Sequence, residues 1–269
     1  MKKTTLLLCC LIAYLVNAQT AKFESVKEIS ECRHYSESSV TDGSGNVYTT
    51  GRVYGSMYLD STGKLILYGG STRFPVMFIR KVSSSGVSIW AKKIGRPGIA
   101  DPESIAIIKL GNLYIIGSFA RSIDFDPGPD SFNYFCKGNN TAFILKLDSD
   151  GDFLWAKTID GSSSLVYGNS ITLDASGNIY TLGHFSGTVD FDTGEETSNL
   201  TSTKNKGYSN SDMFVLKLDA SGNFLWAKNW FAVASDQDHS IVADALGNVY
   251  TTGYFTANVI LIQARKNPF

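Results

Sequence analysis

Few of the residues that usually carry chemistry are present. The 269 residues include three histidines and four cysteines. His34, His184 and His239 stand far apart, and no two have the spacing of a metal-ligand pair. There is no Gly-x-Ser-x-Gly elbow, and no acid–base pair stands out by spacing. Charge of one sign is lacking too: 24 basic side chains meet 25 acidic ones, a formal net charge of −1. Without a clustered basic face to neutralise phosphates, nucleic acid is not an expected partner. No apolar run reaches the roughly 20 residues of a spanning helix, so no transmembrane segment is expected.

The first residues read as an export signal. Lys2 and Lys3 precede an apolar stretch from Leu6 to Val16, and Val16-Asn17-Ala18 supplies small side chains at the positions a signal peptidase reads. Cleavage after Ala18 removes a signal peptide of residues 1–18 and starts the mature chain at Gln19. The protein is then secreted or held in the cell envelope: periplasm, outer-membrane surface or medium. Cys9 and Cys10 leave with the signal. Cys32 and Cys136 remain in different repeats and at different registers, and read as free, partly buried thiols.

What the chain does have is a repeat. Gly-Asn-apolar-Tyr occurs at Gly45–Tyr48, Gly111–Tyr114, Gly177–Tyr180 and Gly247–Tyr250. A serine stands eight residues before each Asn (Ser38, Ser104, Ser170, Ser240), and a glycine five after (Gly51, Gly117, Gly183, Gly253). Phe78, Phe143 and Phe214 precede Lys81, Lys146 and Lys217 by three, and Trp90, Trp155 and Trp226 follow those lysines by nine. Twenty-five glycines and 12% aromatics suit many short strands joined by tight turns.

Each copy predicts four strands. In the third copy they run over Ser170–Leu173, Asn178–Phe185, Met213–Leu218 and Phe224–Lys228. Asp174-Ala-Ser-Gly-Asn178 and Asp219-Ala-Ser-Gly-Asn223 join them in pairs. The aspartate accepts backbone N–H bonds and the glycine takes the positive φ. Four-stranded units at such a period predict an all-β fold, a β-propeller of four-stranded antiparallel blades. The repeated Phe and Trp are expected between blades, and the serine at the crowded axis. Blade 1 spans 31–95, blade 2 spans 96–160, blade 3 spans 161–230, and a partial blade 4 spans 231–269.

Asp174-Ala-Ser-Gly-Asn-Ile-Tyr180, Gly187-Thr-Val-Asp-Phe-Asp192 and Phe214-Val-Leu-Lys-Leu-Asp219 with Trp226-Ala-Lys228 resemble the bacterial seven-bladed β-propeller repeat, or SBBP, family. The resemblance implies a secreted or cell-envelope repeat protein with no shared enzymatic activity. This chain departs from it by carrying about 3.5–4 blades. Val259-Ile-Leu-Ile262 replaces the Asp-Phe-Asp strand in the last copy, and the tail to Phe269 matches nothing in the repeat. Residues 19–30 include a lone strand, at 22–29, with the spacing of a blade's outer strand. The expectation is an incomplete or open ring, part of a larger assembly, or a truncated product, with possible self-association through the open blade edge.

Candidate chemistry is sparse. Asp124-Phe-Asp126 and Asp190-Phe-Asp192 each put two carboxylates on one strand face. Asp124, Asp126, Asp190 and Asp192 are the candidate ligands for a possible Ca²⁺. Two carboxylates fall short of its roughly six to eight oxygen ligands, so a turn at the strand end is the simpler reading. No other cofactor is expected. Residues 124–140 and 192–211 read as long loops, and Phe132, Tyr134 and Phe135 are the candidate ligand-binding residues. The function expected is a non-enzymatic binding or scaffold module for an unknown protein or glycan ligand. The alternative is a polysaccharide-acting enzyme using the aspartates at one mouth of the propeller.

Overall fold

The computed structural model describes residues 34–58, 65–68, 75–95, 100–108, 111–203, 211–230, 238–244 and 246–253. The export signal, the lone strand expected at 19–30, Cys32 and Val259–Ile262 lie outside the described residues.

The described residues form strands and no helix. In the first blade, β1 (His34–Thr41) and β2 (Val47–Val53) precede a ribbon of β3 (Ser56–Tyr58) and β4 (Leu65–Tyr68), followed by β5 (Val76–Val82) and β6 (Ser88–Ile94). The four-stranded sheet is ordered β1-β2-β5-β6, all antiparallel. The second blade repeats this with β7 (Ala100–Ile107), β8 (Leu113–Phe119), the ribbon β9 (Ser122–Asp124) and β10 (Asn133–Phe135), β11 (Thr141–Leu147) and β12 (Phe153–Ile159). The third has β13 (Leu165–Leu173), β14 (Ile179–Ser186), the ribbon β15 (Thr188–Asp190) and β16 (Asn199–Thr201), β17 (Ser211–Leu218) and β18 (Phe224–Trp230). A fourth sheet holds β19 (Asp238–Ala243) and β20 (Val249–Gly253).

The innermost strands β1, β7, β13 and β19 pack against one another in that order, while β1 and β19 are not packed together in this way. The arrangement is an open β-propeller. Its core is three layers between successive sheets. Tyr48, Met77 and Ile79 of the first blade meet Ile105, Ile115, Phe119 and Phe143 of the second. Tyr114, Ile116 and Ile144 of the second meet Ile171, Phe185, Phe191 and Phe214 of the third. Tyr180, Leu182 and Val215 meet Ile241 of the fourth sheet. Alternate residues along one strand serve opposite layers, so β8 is buried from end to end. Each such side chain contributes about 1.5–3 kcal/mol through loss of apolar area to water.

The repeated residues each have a local cause. The innermost strand of every sheet carries a β-bulge just before its serine. The bulge drives the strand backbone against its neighbour, and a Cβ on Gly51, Gly117 or Gly183 would collide with the carbonyl oxygen of Tyr35, Asp101 or Tyr167. Across the sheet those glycines pair with Phe78, Phe143 and Phe214, and the Phe214 ring lies against the backbone that Gly183 leaves bare. The serine does more than fit a crowded axis. Ser38 Oγ accepts the N–H of Ile105 at 3.3 Å, and Ser170 Oγ that of Ile241 at 3.2 Å, tying one innermost strand to the next.

Tyrosine, lysine and tryptophan form a stack across three strands. Lys81, Lys146 and Lys217 hold their ammonium groups 5.0, 5.0 and 4.8 Å from the rings of Tyr48, Tyr114 and Tyr180. Lys81 and Lys146 also donate to Ser149 O and Ala220 O in the outer hairpin of the following blade, so the lysine latches blade to blade. The tryptophans are half-buried and sit at the rim of each layer rather than filling it.

The hairpin mechanism read from the sequence is present. Asp174 Oδ1 accepts the N–H groups of Ser176 and Asn178, and Oδ2 accepts Asn178 Nδ2 and the Tyr180 hydroxyl. Burial opposes ionisation of Asp174, but these donors outweigh it and hold the carboxyl below its ordinary range. Burial and the Asp174 carboxylate push Tyr180 up to about 12, which keeps it a donor.

Two expectations need correction. The first strand of the third blade starts at Leu165, not Ser170, because the bulge at Gly168/Ser170 breaks the alternation that marks a strand. The segments read as loops, 124–140 and 192–211, hold ribbon strands, because Asp124 and Asp190 close turns that let β9 pair with β10 and β15 with β16.

Candidate functional site

The ribbons of the second and third blades lean toward each other and enclose a cleft of about 300 Å³. Phe132, Tyr134 and Lys137 reach it from the second blade's ribbon, Lys157 and Thr158 from β12, and Asp190, Asp192 and Thr193 from the third blade's ribbon. At its base lies Asp160, 6% exposed. The Asp160 backbone carbonyl accepts the Asp190 N–H at 3.0 Å, which fastens one ribbon to the neighbouring blade. Its carboxylate accepts the Tyr134 hydroxyl at 3.2 Å and pairs with Lys137 Nζ at 3.5 Å. Asp160 raises the Lys137 ammonium above its usual range, and burial raises the Tyr134 hydroxyl. Both therefore stay protonated donors. Phe132, 41% exposed, lies tilted over Phe153 with ring centroids 4.9 Å apart.

Four of the seven candidates read from the sequence thus meet in one place: Phe132, Tyr134, Asp190 and Asp192. Asp124, Asp126 and Phe135 do not line it. Phe135 is 72% exposed on β10. Asp124 Oδ1 accepts the N–H groups of Asp126 and Phe132, and Asp126 Oδ1 that of Gly128. Asp190 and Asp192 repeat the scheme with Asp192, Ser198 and Gly194. Between the paired carboxylates Phe125 and Phe191 are fully buried, so Asp-Phe-Asp is a ribbon turn clamped to the core. Among the described residues no group of three or more His, Cys, Asp or Glu is placed to hold a metal ion. Cys136 is a free, half-buried thiol, bonded to Thr141 Oγ1 and Gly138 O.

A second polar cluster lies on the innermost strands. Arg52 on β2 donates to Glu37 Oε1 at 2.7 Å and, across the blade boundary, to Asp101 Oδ1 at 3.0 Å. Its guanidinium also lies 5.7 Å from the Tyr35 ring centroid. Glu103 on β7 shares the field of Glu37, Arg52, Asp101 and His184. Crowding by the surrounding strands, and then the charge of Glu37, push its carboxyl up to about 7, although the residue as a whole is exposed, so water screens much of that effect. His184 on β14 is half-buried and stacked on Tyr167 at 4.7 Å.

This axial cluster escaped the sequence reading, yet a signal for it exists. The residue before each repeated serine is Glu37, Glu103, Asn169 or His239, and the residue after the repeated glycine is Arg52, Ser118, His184 or Tyr254. Both positions stay large and polar or aromatic for the most part while their neighbours hold constant. That pattern marks a surface that each copy has filled differently.

No protein-family model matches the chain. The SBBP resemblance therefore stands on its motifs alone. The chain is similar to an uncharacterized WD repeat-containing protein of Acanthamoeba polyphaga mimivirus, 24% identical over 68% of this chain and 14% of that protein. The chain thus spans about a seventh of that relative's length, and the relative is viral, not bacterial. The likeness agrees with the repeating β-propeller architecture.

Proposed function

We propose that the protein is an exported, non-enzymatic binding module that holds a glycan in the cleft between its second and third blades. The observation that carries this reading is convergence. Side chains from two repeats line one cavity of about 300 Å³, and Phe132, Tyr134 and Lys137 reach it from ribbon positions that hold Ser198, Leu200 and Thr203 in the third blade. The residues the copies do share have structural duties in bulges, hairpins and latches. A sugar presents an apolar ring face and a hydroxyl edge. Phe132 offers a flat exposed ring, and the carboxylates and lysines around it offer acceptors and donors. The likeness to a WD repeat-containing protein supports a repeat module over a catalytic domain.

The enzyme reading is less well supported. A glycosidase needs one carboxyl protonated to donate to the leaving oxygen. Asp160 accepts from Tyr134 and Lys137, while Asp190 and Asp192 accept backbone N–H bonds. All three carboxylates are thus engaged as acceptors within the fold itself.

Retention on a glycan array tests the reading. Phe132→Ala is expected to weaken the retained glycans by about tenfold, the loss of one stacked ring. Unchanged retention, or none by the wild type, overturns it. Cleavage of a bound glycan that Asp192→Asn abolishes establishes the enzyme instead. Export predicts a mature start at Gln19, which mass spectrometry of the protein from its native host reads directly; an intact Met1 refutes it.

A second copy is a further partner, favoured by one observation. Val242 and Tyr250 on the fourth sheet are 54% and 57% exposed. Pairing of two such sheets would make the size in solution rise with concentration. A compact monomer at every concentration rules this out.

A further inference from the structure

We infer that the cleft between the second and third blades selects a neutral vicinal diol, two adjacent hydroxyls of one sugar residue, through the carboxylate of Asp160. The inference rests on the reading of the cleft as a glycan site and names what that site selects.

Asp160 follows β12 directly and lies at the base of the cleft, 6% exposed. A carboxylate offers about four acceptor sites. Among the described residues two donors meet this one, the Tyr134 hydroxyl at 3.2 Å and the Lys137 ammonium at 3.5 Å. A hydroxyl bonded to a carboxylate ordinarily lies at about 2.5–2.7 Å, and an ammonium at about 2.7–2.9 Å. Both contacts are therefore slack, and half of the acceptor capacity is unused. A buried carboxylate has already given up water, so donors that complete its shell are strongly favoured. The repeat gives no other duty to this side chain: Gly95 holds the same place after β6 in the first blade.

The charges around the cleft decide what kind of donor fits. Asp160, Asp190 and Asp192 line it together with Lys137 and Lys157. A cationic ligand would be repelled by Lys137, which already stands beside the carboxylate it seeks. An anionic ligand would face three carboxylates. A neutral hydroxyl meets neither repulsion and plays both parts: its hydrogen goes to Asp160 and its lone pairs accept from Lys137. Two hydroxyls on adjacent ring carbons put one hydrogen on each carboxylate oxygen, whereas a lone alcohol serves one oxygen. Lys157 Nζ gives one N–H to the Thr193 carbonyl at 3.4 Å, which leaves two for other oxygens of the sugar. The exposed Phe132 ring takes the apolar face of the same residue.

Two-dimensional NMR titration of the full chain tests this with the methyl glycosides of glucose, galactose and mannose. Each is run beside its 6-amino-6-deoxy analogue, its uronic acid analogue and its 2,3- and 3,4-di-O-methyl ethers. At least one neutral glycoside is expected to shift resonances of Tyr134 and Asp160. Both charged analogues, and one of the two ethers, should bind at least about tenfold more weakly than that parent. Asp160→Asn should weaken the parent by about tenfold, the worth of a charged hydrogen bond. Its thermal midpoint, beside the wild type's, shows that the variant is folded. Lys137→Gln changes a side chain that is 68% exposed, so the fold is retained whatever Asp160→Asn does. It should narrow the gap between the amino analogue and its neutral parent. A charged analogue that binds the wild type more tightly than the parent, two ethers that bind as well as the parent, an affinity indifferent to Asp160→Asn in a folded variant, or a gap that Lys137→Gln leaves unchanged each overturns the inference. In all four cases a glycoside still binds, and the glycan reading stands. Shifts with none of the glycosides overturn the inference as well, and the glycan array then decides the broader reading by itself.

Discussion

The third and fourth blades carry the same tetrad and use it in opposite environments. Tyr180 and Tyr250 both follow Gly-Asn-apolar, and both donate to the hairpin aspartate, Tyr180 to Asp174 at 3.1 Å and Tyr250 to Asp244 at 3.3 Å. Yet Tyr180 is fully buried and Tyr250 is 57% exposed. The difference comes from what lies beside them. Tyr180 has Lys217 over its ring, Trp226 at its edge and Ile241 of the next sheet against it. The described part of the fourth sheet has two strands and offers Tyr250 none of these. A repeat residue therefore encodes the hairpin by itself but encodes core only together with the next two strands and the next blade. This is the nearest-neighbour logic of repeat proteins.

The largest effect that sharpens this comparison is truncation of the two tyrosines. Tyr180→Ala is expected to cost about 3–5 kcal/mol, as for other large aromatic deletions from a core. Tyr250→Ala is expected to fall within about 0.5 kcal/mol of wild type, as for a surface site. Chemical denaturation of the two variants measures both. Equal costs would mean that Tyr250 is covered in solution and that the contrast is false.

Next in size is the bulge. A Cβ at residue 183 would meet the Tyr167 carbonyl oxygen and the Phe214 ring. Gly183→Ala should cost on the order of 3 kcal/mol, the upper part of the range for overpacking, because a backbone atom cannot rotate away. Gly43→Ala, with nothing within 4 Å of its Cβ, is the control and should stay within about 0.5 kcal/mol. Thermal unfolding of both, beside wild type, separates a bulge held by contact from one that can relax.

Much of the fold was legible because the repeat exposes it. The four strands of a blade stand out as short apolar runs at one register in copy after copy, whereas the bulge behind the repeated glycine does not, because it breaks the alternation that marks a strand. The hairpin was legible as well, since Asp, Gly and Asn at fixed offsets leave few other conformations. The ribbon strands were not. Three paired residues are too few to show a period of two, and Asp-Phe-Asp looks the same whether it points at a metal or closes a turn. The cleft was half legible. Phe132 and Tyr134 stand out as an aromatic run, and Asp190 and Asp192 as a doubled carboxylate, but their meeting depends on how two blades stack, which no single copy records. Asp160, at its base, carried no motif at all.

A smaller effect separates the two hairpins. Asp174→Ala removes the acceptor of four donors, one of them the buried Tyr180 hydroxyl. Water can replace part of what is lost at this half-buried carboxylate, so a cost on the order of 1 kcal/mol is expected. Asp244→Ala should cost less, because Tyr250 can turn to water. The carboxyl of Asp174 is held below its ordinary value, so its contribution is complete above that value and fades as the pH falls through the lowered one. The gap between the two variants should therefore close in acid. Denaturation midpoints at neutral pH and below about 3 test this; a gap that persists in acid assigns it to packing rather than to the ionised carboxylate.

The smallest expected effect lies at the axis, where the first three blades meet. Glu103 has its carboxyl pushed up to about 7 from an ordinary 4.5, first by crowding and then by Glu37. Folding therefore binds a proton that the unfolded chain does not, between those two values. Stability is greatest below the lower one, falls as the pH rises between them, and is lower throughout above the upper one. Arg52 and His184 offset part of the repulsion, and water at the exposed Glu103 screens more, so the slope is shallow. Glu103→Gln removes it, leaving a flatter profile with greater stability above about 7 than wild type. Arg52→Gln should do the reverse, because Glu37 and Asp101 lose their partner and the three carboxylates face one another unpaired. Midpoints across this pH range for the three proteins decide it. If Glu103→Gln leaves the profile as steep as before, another group titrates there, and Glu103 is as well solvated as a surface glutamate.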